Sequence, residues 1–244
     1  MISVQHLCKI CNGRTVLSDI ALLIHPGERV CIVGPSGSGK TLILKILLGL
    51  VSPTKGSVEV DGVPLQNLPP RILQMYRQKI GTIFQEEDRC SLHETVFEHV
   101  SLPLILRNTP PTLTTQKILE TLQALSLKSH TQFFLKDLSH GERKLTDIAH
   151  EVVTDPLLIF ADEPLEGLDT AQATLVCNLF KRLNKEGATL IIATRDPLLA
   201  DQLHCRTLIL KDGYLHEDDS SFPNQEDSLR PKTIERSVKI TAVK

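Results

Sequence analysis

The residues best equipped for chemistry form one run, Gly34-Pro35-Ser36-Gly37-Ser38-Gly39-Lys40-Thr41, set between the apolar stretches 30–33 and 42–48. A glycine-rich loop that joins a buried strand to a helix presents successive backbone N–H groups at the positive end of that helix, which suits a polyphosphate. The glycines let the backbone curl around phosphates, Lys40 supplies charge to the β and γ phosphates, and the Thr41 hydroxyl can ligate Mg²⁺. A second element, Leu157-Leu158-Ile159-Phe160-Ala161-Asp162-Glu163, ends an apolar run in two acids. It predicts a buried strand that delivers Asp162 to a Mg²⁺ shell, with Glu163 placed to polarise an attacking water. Either element alone has a plainer reading, as a chance glycine turn or as a strand capped by surface acids. Together they predict a site for a nucleoside triphosphate.

The elements that must position these residues follow from the patterning. Residues 2–24 read as a strand-turn-strand layer broken at Asn12-Gly13, and Asp61-Gly62 marks a second tight turn after the strand 57–60. Residues 80–84 read as a short buried strand ending at Gln85. From about 86 to 155 the apolar spacing is helical, with Pro110-Pro111 between two helices. Strands at 157–161, 188–193 and 207–210 then alternate with a helix over 170–185 and one near Leu198, which predicts a mainly parallel sheet covered by helices. From about Glu217 the chain becomes charged and poor in large apolar residues, and residues 217–244 read as a flexible tail, with contact to anionic lipid or a partner as the alternative.

With 244 residues, a net charge of −2 and 41% hydrophobic residues, the chain suffices for one well-buried α/β domain and offers no broad basic surface, so nucleic acid is not an expected partner. No stretch has the length and apolarity of a membrane span, and the N-terminus lacks the pattern of a signal peptide, so a cytoplasmic protein is expected. The six cysteines have no metal-ligand spacing and read as reduced thiols; Cys8 and Cys11 lack a second pair. His6, His25, His93, His99, His150, His204 and His216 read as surface or satisfied polar positions.

Leu138-Ser139-His140-Gly141-Glu142 opens a predicted helix over 142–153, with Ser139 as its cap. In this context it resembles the signature motif of the ATP-binding-cassette (ABC) family. The remaining family marks fall in order: Gln85 as the Q-loop, Leu165-Glu166-Gly167-Leu168-Asp169 as the D-loop, and Thr194-Arg195-Asp196 where the H-loop belongs. The resemblance covers roughly residues 1–216. It implies an α/β P-loop NTPase fold: a mainly parallel RecA-like core, an antiparallel β subdomain and a helical signature subdomain near 86–155. It implies that ATP lies on residues 34–41 of one copy and faces Ser139, Gly141, Glu142 and Asp169 of another in a head-to-tail dimer. Thr41, Gln85 and Asp162 would hold Mg²⁺, and Glu163, Gln85 and Arg195 would serve hydrolysis.

Residues 77–85, 95–104 and 161–164 look most like the cell-division subfamily typified by FtsE. The resemblance implies a cytoplasmic subunit peripheral on the inner face of the membrane, coupled through Gln85 and the helices after it to an FtsX-like transmembrane permease in the control of wall hydrolases. Lipoprotein-releasing and efflux ATPases share much of this pattern and form the alternative. A soluble cassette acting on DNA or ribosomes fits poorly, since it usually needs tandem cassettes or a long insertion.

Four positions depart from the family pattern. Ile10 or Cys11 stands where an aromatic usually stacks on adenine, His140 replaces a signature glycine, and the D-loop reads Glu166-Gly167 in place of Gly-Asn. Arg195 stands at the H-loop histidine. Arginine is always charged and has no acceptor nitrogen, so ATP binding with slow turnover is expected, against ordinary turnover because Glu163 and Gln85 are present. A heterodimer with another cassette could retain one competent composite site.

Overall fold

A computed structural model describes residues 1–84 and 93–218. The chain begins with β1 (Ile2–Cys11) and β2 (Arg14–Ile24), joined at Asn12-Gly13, where both residues have positive φ as a two-residue hairpin turn requires. After β3 (Arg29–Val33) and α1 (Lys40–Leu47), β4 (Lys55–Val60) and β5 (Val63–Pro64) pair through a like turn at Asp61-Gly62. The order continues with α2 (Pro70–Arg77), β6 (Ile80–Ile83), α3 (Val96–Leu106), α4 (Pro111–Ala124), α5 (His140–Val152) and β7 (Leu158–Asp162). It closes with α6 (Thr170–Lys185), β8 (Thr189–Thr194), α7 (Pro197–Leu203), β9 (Arg206–Lys211) and β10 (Tyr214–Glu217).

One sheet, in the order β2-β1-β4-β5, is antiparallel; the other, β10-β9-β3-β8-β7-β6, is parallel apart from β10. Every residue of β7 and β8 is buried, which is why these strands read in sequence as unbroken apolar runs. The register pairs Val33 with Thr194 and Asp162 with Ala193, so β3, β8 and β7 end at one level, and the loops after them meet there. One core lies between the sheets around α1; the other gathers α3 to α7 against the opposite face of the parallel sheet.

The expected mainly parallel core, antiparallel layer and helical part are all present. Two elements escaped the pattern. In α2 only Tyr76 is fully buried, its hydroxyl donating to the Leu47 carbonyl at 3.2 Å, while Ile72 and Leu73 are half-buried, so the apolar stripe is short. β10 is a mostly exposed edge strand, tied down where Arg206 Nε meets Glu217 Oε1 at 2.5 Å. The helix expected over 142–153 starts at His140, because Ser139 caps it directly. Pro111 is the first residue of α4 rather than part of a separator.

Pro103 lies inside α3 and cannot donate to the carbonyl four residues back, that of His99. His150 of α5 supplies the missing donor, its Nδ1 standing 2.8 Å from the His99 oxygen. The His99 ring stacks on His150 at 4.5 Å, with Nδ1 2.9 Å from Glu94 and Nε2 3.3 Å from Asp147. Both His99 nitrogens therefore face acceptors, which suits the imidazolium. Burial lowers the His99 pKa, but Asp147 and Glu94 outweigh it and the net shift is upward. Burial and the neighbouring His99 hold His150 below its ordinary value.

A raised folded-state pKa contributes stability that is complete below the unfolded value of about 6.5 and vanishes as pH rises through the folded one. His99→Gln is therefore expected to destabilise the protein more near pH 6 than near pH 9. Urea unfolding of both proteins at the two pH values measures the difference.

Candidate active site

The loop between β3 and α1 is built around a buried ammonium. Lys40 is 6% exposed, and its Nζ donates to the carbonyls of Gly34 at 2.7 Å and Pro35 at 3.0 Å. A buried charge requires such partners, and here they fold the loop back over the start of α1. Gly34 is required by close approach: a Cβ there would sit 2.5 Å from the Leu210 carbonyl of β9. Pro35, Ser36 and Gly37 form the exposed crown of the loop. The Ser38 hydroxyl is buried with no hydrogen-bond partner, and Gly39 caps α1 in the left-handed region.

β7 brings its acids to this loop. Asp162 Oδ2 accepts from Thr41 Oγ1 at 2.5 Å, and burial pushes the Asp162 carboxyl up against the opposing effect of that bond. Glu163 sits at φ 46, a strained value for a residue with a Cβ, and its N–H donates to Ala193 of β8 at 2.8 Å. Its carboxylate is engaged on both oxygens. Oε2 accepts from Thr194 Oγ1 at 3.1 Å and from the Arg195 backbone N–H at 3.2 Å. Oε1 lies 3.2 Å from Arg195 Nε and 3.8 Å from Lys40 Nζ.

Arg195 also reaches Glu166, with Nη2 at 2.6 Å from Oε1. Glu166 first and then Glu163 raise the guanidinium's already high pKa. Asp169 caps α6 by accepting from the Gln172 N–H at 2.8 Å. Lys144 of α5 donates to the carbonyls of Glu163 at 2.9 Å and Glu166 at 2.6 Å, and burial depresses its pKa despite the nearby acids. Lys144 escaped the sequence reading, as did the bond from Thr194 to Glu163, because each depends on atoms that only the tertiary fold brings near.

Ser139 and Glu142 form a capping box at the start of α5, with Ser139 Oγ donating to Glu142 Oε2 at 2.6 Å. The two hydrogen bonds from Ser139 lower the Glu142 pKa. Gly141 is buried against Gln172 of α6, where a Cβ would lie 2.3 Å from its Oε1. The ring of His140 fills space over Gly167, where a Cβ would lie 2.7 Å from Nε2. Of the two residues expected where an aromatic usually stacks on adenine, Ile10 is 44% exposed and Cys11 is half-buried. Gln85 lies outside the described residues.

The donor set fits a nucleotide with its metal. A loop of N–H groups and a buried cation suit polyphosphate, the unpartnered Ser38 hydroxyl faces the same loop, and the Thr41 and Asp162 oxygens are hard ligands of the kind Mg²⁺ takes. No helix among the described residues is long and apolar enough to cross a membrane.

The family model for ABC transporters matches residues 17–166, and the chain belongs to that family as an ATP-binding cassette. Among curated relatives, the cell division ATP-binding protein FtsE of Bacillus subtilis is 32% identical over 209 residues, covering 86% of this chain and 91% of its own. FtsE of Escherichia coli K12 is 32% identical, covering 88% and 97%, and the ABC transporter ATP-binding protein YtrE of B. subtilis is 34% identical, covering 84% and 88%. The dimeric bacterial ABC transporter cassette MJ0796 superimposes with a TM-score of 0.80 at 31% identity, covering 89% of this chain and 98% of that one. A post-hydrolysis dimer of the same cassette, bound to ADP and Pi, gives 0.79 at 30%. The cassette fold and the family imply ATPase activity.

Proposed function

We propose that this cassette is an FtsE-like subunit that binds MgATP between two head-to-tail copies and hydrolyses it slowly. The observation that carries the slow rate is the engagement of Glu163 by Arg195, whose backbone and guanidinium together occupy both carboxylate oxygens. In this reading residues 34–41 hold the phosphates, with Lys40 facing the terminal ones. Thr41 and Asp162 hold Mg²⁺, which when bound offsets phosphate charge. Glu163 must accept a proton from water to promote attack, and a carboxylate shared by an arginine and a threonine is a poor acceptor. Ser139 and Gly141 of one copy face the loop of the other, where His140 adds bulk at the contact.

Phosphate release by the purified protein tests the reading. Arg195→His is expected to raise turnover on the order of tenfold, and Glu163→Gln to lower it by about 10²-fold or more. Robust native turnover that Arg195→His leaves unchanged would contradict it.

Coupling to an FtsX-like permease, on the inner face of the membrane and in cell division, is supported by the FtsE relatives over nearly their whole length. The similarity to YtrE supports the second reading, a transporter permease as partner. Capture of the tagged chain from detergent-solubilised native membranes with ATP separates the two. An FtsX-like four-span partner is expected; an efflux or lipoprotein-release permease, or a second cassette, would overturn the division role.

A further inference from the structure

Arg195 does not act alone. Its side edge is divided between two carboxylates, Nε on Glu163 at 3.2 Å and Nη2 on Glu166 at 2.6 Å. The two acids come from one turn, closed by the Glu166 N–H to the Glu163 carbonyl at 3.2 Å, and Lys144 ties both carbonyls to α5. Their separation is thereby fixed. A planar guanidinium with two donors in a rigid fork fits such a pair, and a lysine would not.

We infer that Glu166 is a positioning residue for Arg195, and that the pair forms a latch over Glu163 which the terminal phosphate of a nucleoside triphosphate must displace. The inference rests on the reading of Arg195 as a restraint on turnover and names what holds the restraint in place. The burial gradient supports it: the Glu163 side chain is 13% exposed, that of Glu166 37% and that of Arg195 48%. The outer contact is in solvent, where an ion pair is weak and a polyanion can compete for the guanidinium. The inner carboxylate is sheltered, so it is the group whose availability the latch governs. Without Glu166, Arg195 keeps one carboxylate partner instead of two and gives way more readily to phosphate.

The test is a double-mutant cycle on the full chain, read by equilibrium binding of fluorescent MgATP and MgADP analogues and by steady-state kinetics. Glu166→Gln is expected to raise the preference for the triphosphate over the diphosphate by about two- to fivefold, the range an exposed ion pair supports. It should raise kcat by a similar factor with KM unchanged or lower. In an Arg195→Gln background the same substitution should change neither. Equal effects of Glu166→Gln in both backgrounds would overturn the latch by reducing Glu166 to a nearby negative charge. No effect in the native background would overturn it as well. Fast native turnover would instead defeat the slow-hydrolysis reading itself, whatever the binding cycle gives.

Discussion

The site depends on one buried cation. The Lys40 ammonium is withdrawn from water and held by two carbonyls of its own loop, with the Glu163 carboxylate 3.8 Å away. A charge so placed stays only if its surroundings are arranged for it. The strands provide that arrangement: β8 lies between β3 and β7, and their shared end level puts Gly34, Asp162 and Thr194 within reach of one another. Gly34 can lie against β9 because it has no Cβ. The nucleotide chemistry is a consequence of a parallel sheet that ends its strands together around a buried lysine.

The departures at His140 and Arg195 are each matched by a residue of the altered D-loop. His140 brings a ring where a glycine is usual, and Gly167 leaves the space that ring occupies. Arg195 brings a fixed charge, and Glu166 supplies its counter-charge 29 residues earlier in the chain. Gly167 makes room for the His140 ring, and Glu166 gives Arg195 a second carboxylate beside Glu163; each pair closes within one protomer. The cassette therefore retains a coherent set of side chains in which Arg195 engages the Glu163 carboxylate.

Much of this was legible in the sequence. The loop 34–41 declares itself because polyphosphate binding constrains both residue type and spacing, and Ser139 with Glu142 declares a helix start because capping is local. The strands of the parallel sheet were readable because burial on both faces leaves continuous apolar runs. What escaped depends on contacts between distant segments. The Pro103 gap in α3 is filled by a histidine on α5, and Lys144 binds backbone carbonyls that carry no sequence signal. The identity of Arg195 could be read, but its partner could not, since only the fold brings Glu166 beside it.

On the proposed reading, this cassette binds ATP in a site where Arg195 restrains the Glu163 carboxylate. Single-turnover quench-flow with γ-labelled ATP and excess protein tests it most directly, because binding and cleavage are resolved in the same experiment. ATP is expected to be bound stoichiometrically and to be cleaved slowly relative to Arg195→His, which cleaves it promptly. Cleavage as fast as binding in the native protein, or failure of the native protein to retain ATP at all, would contradict it.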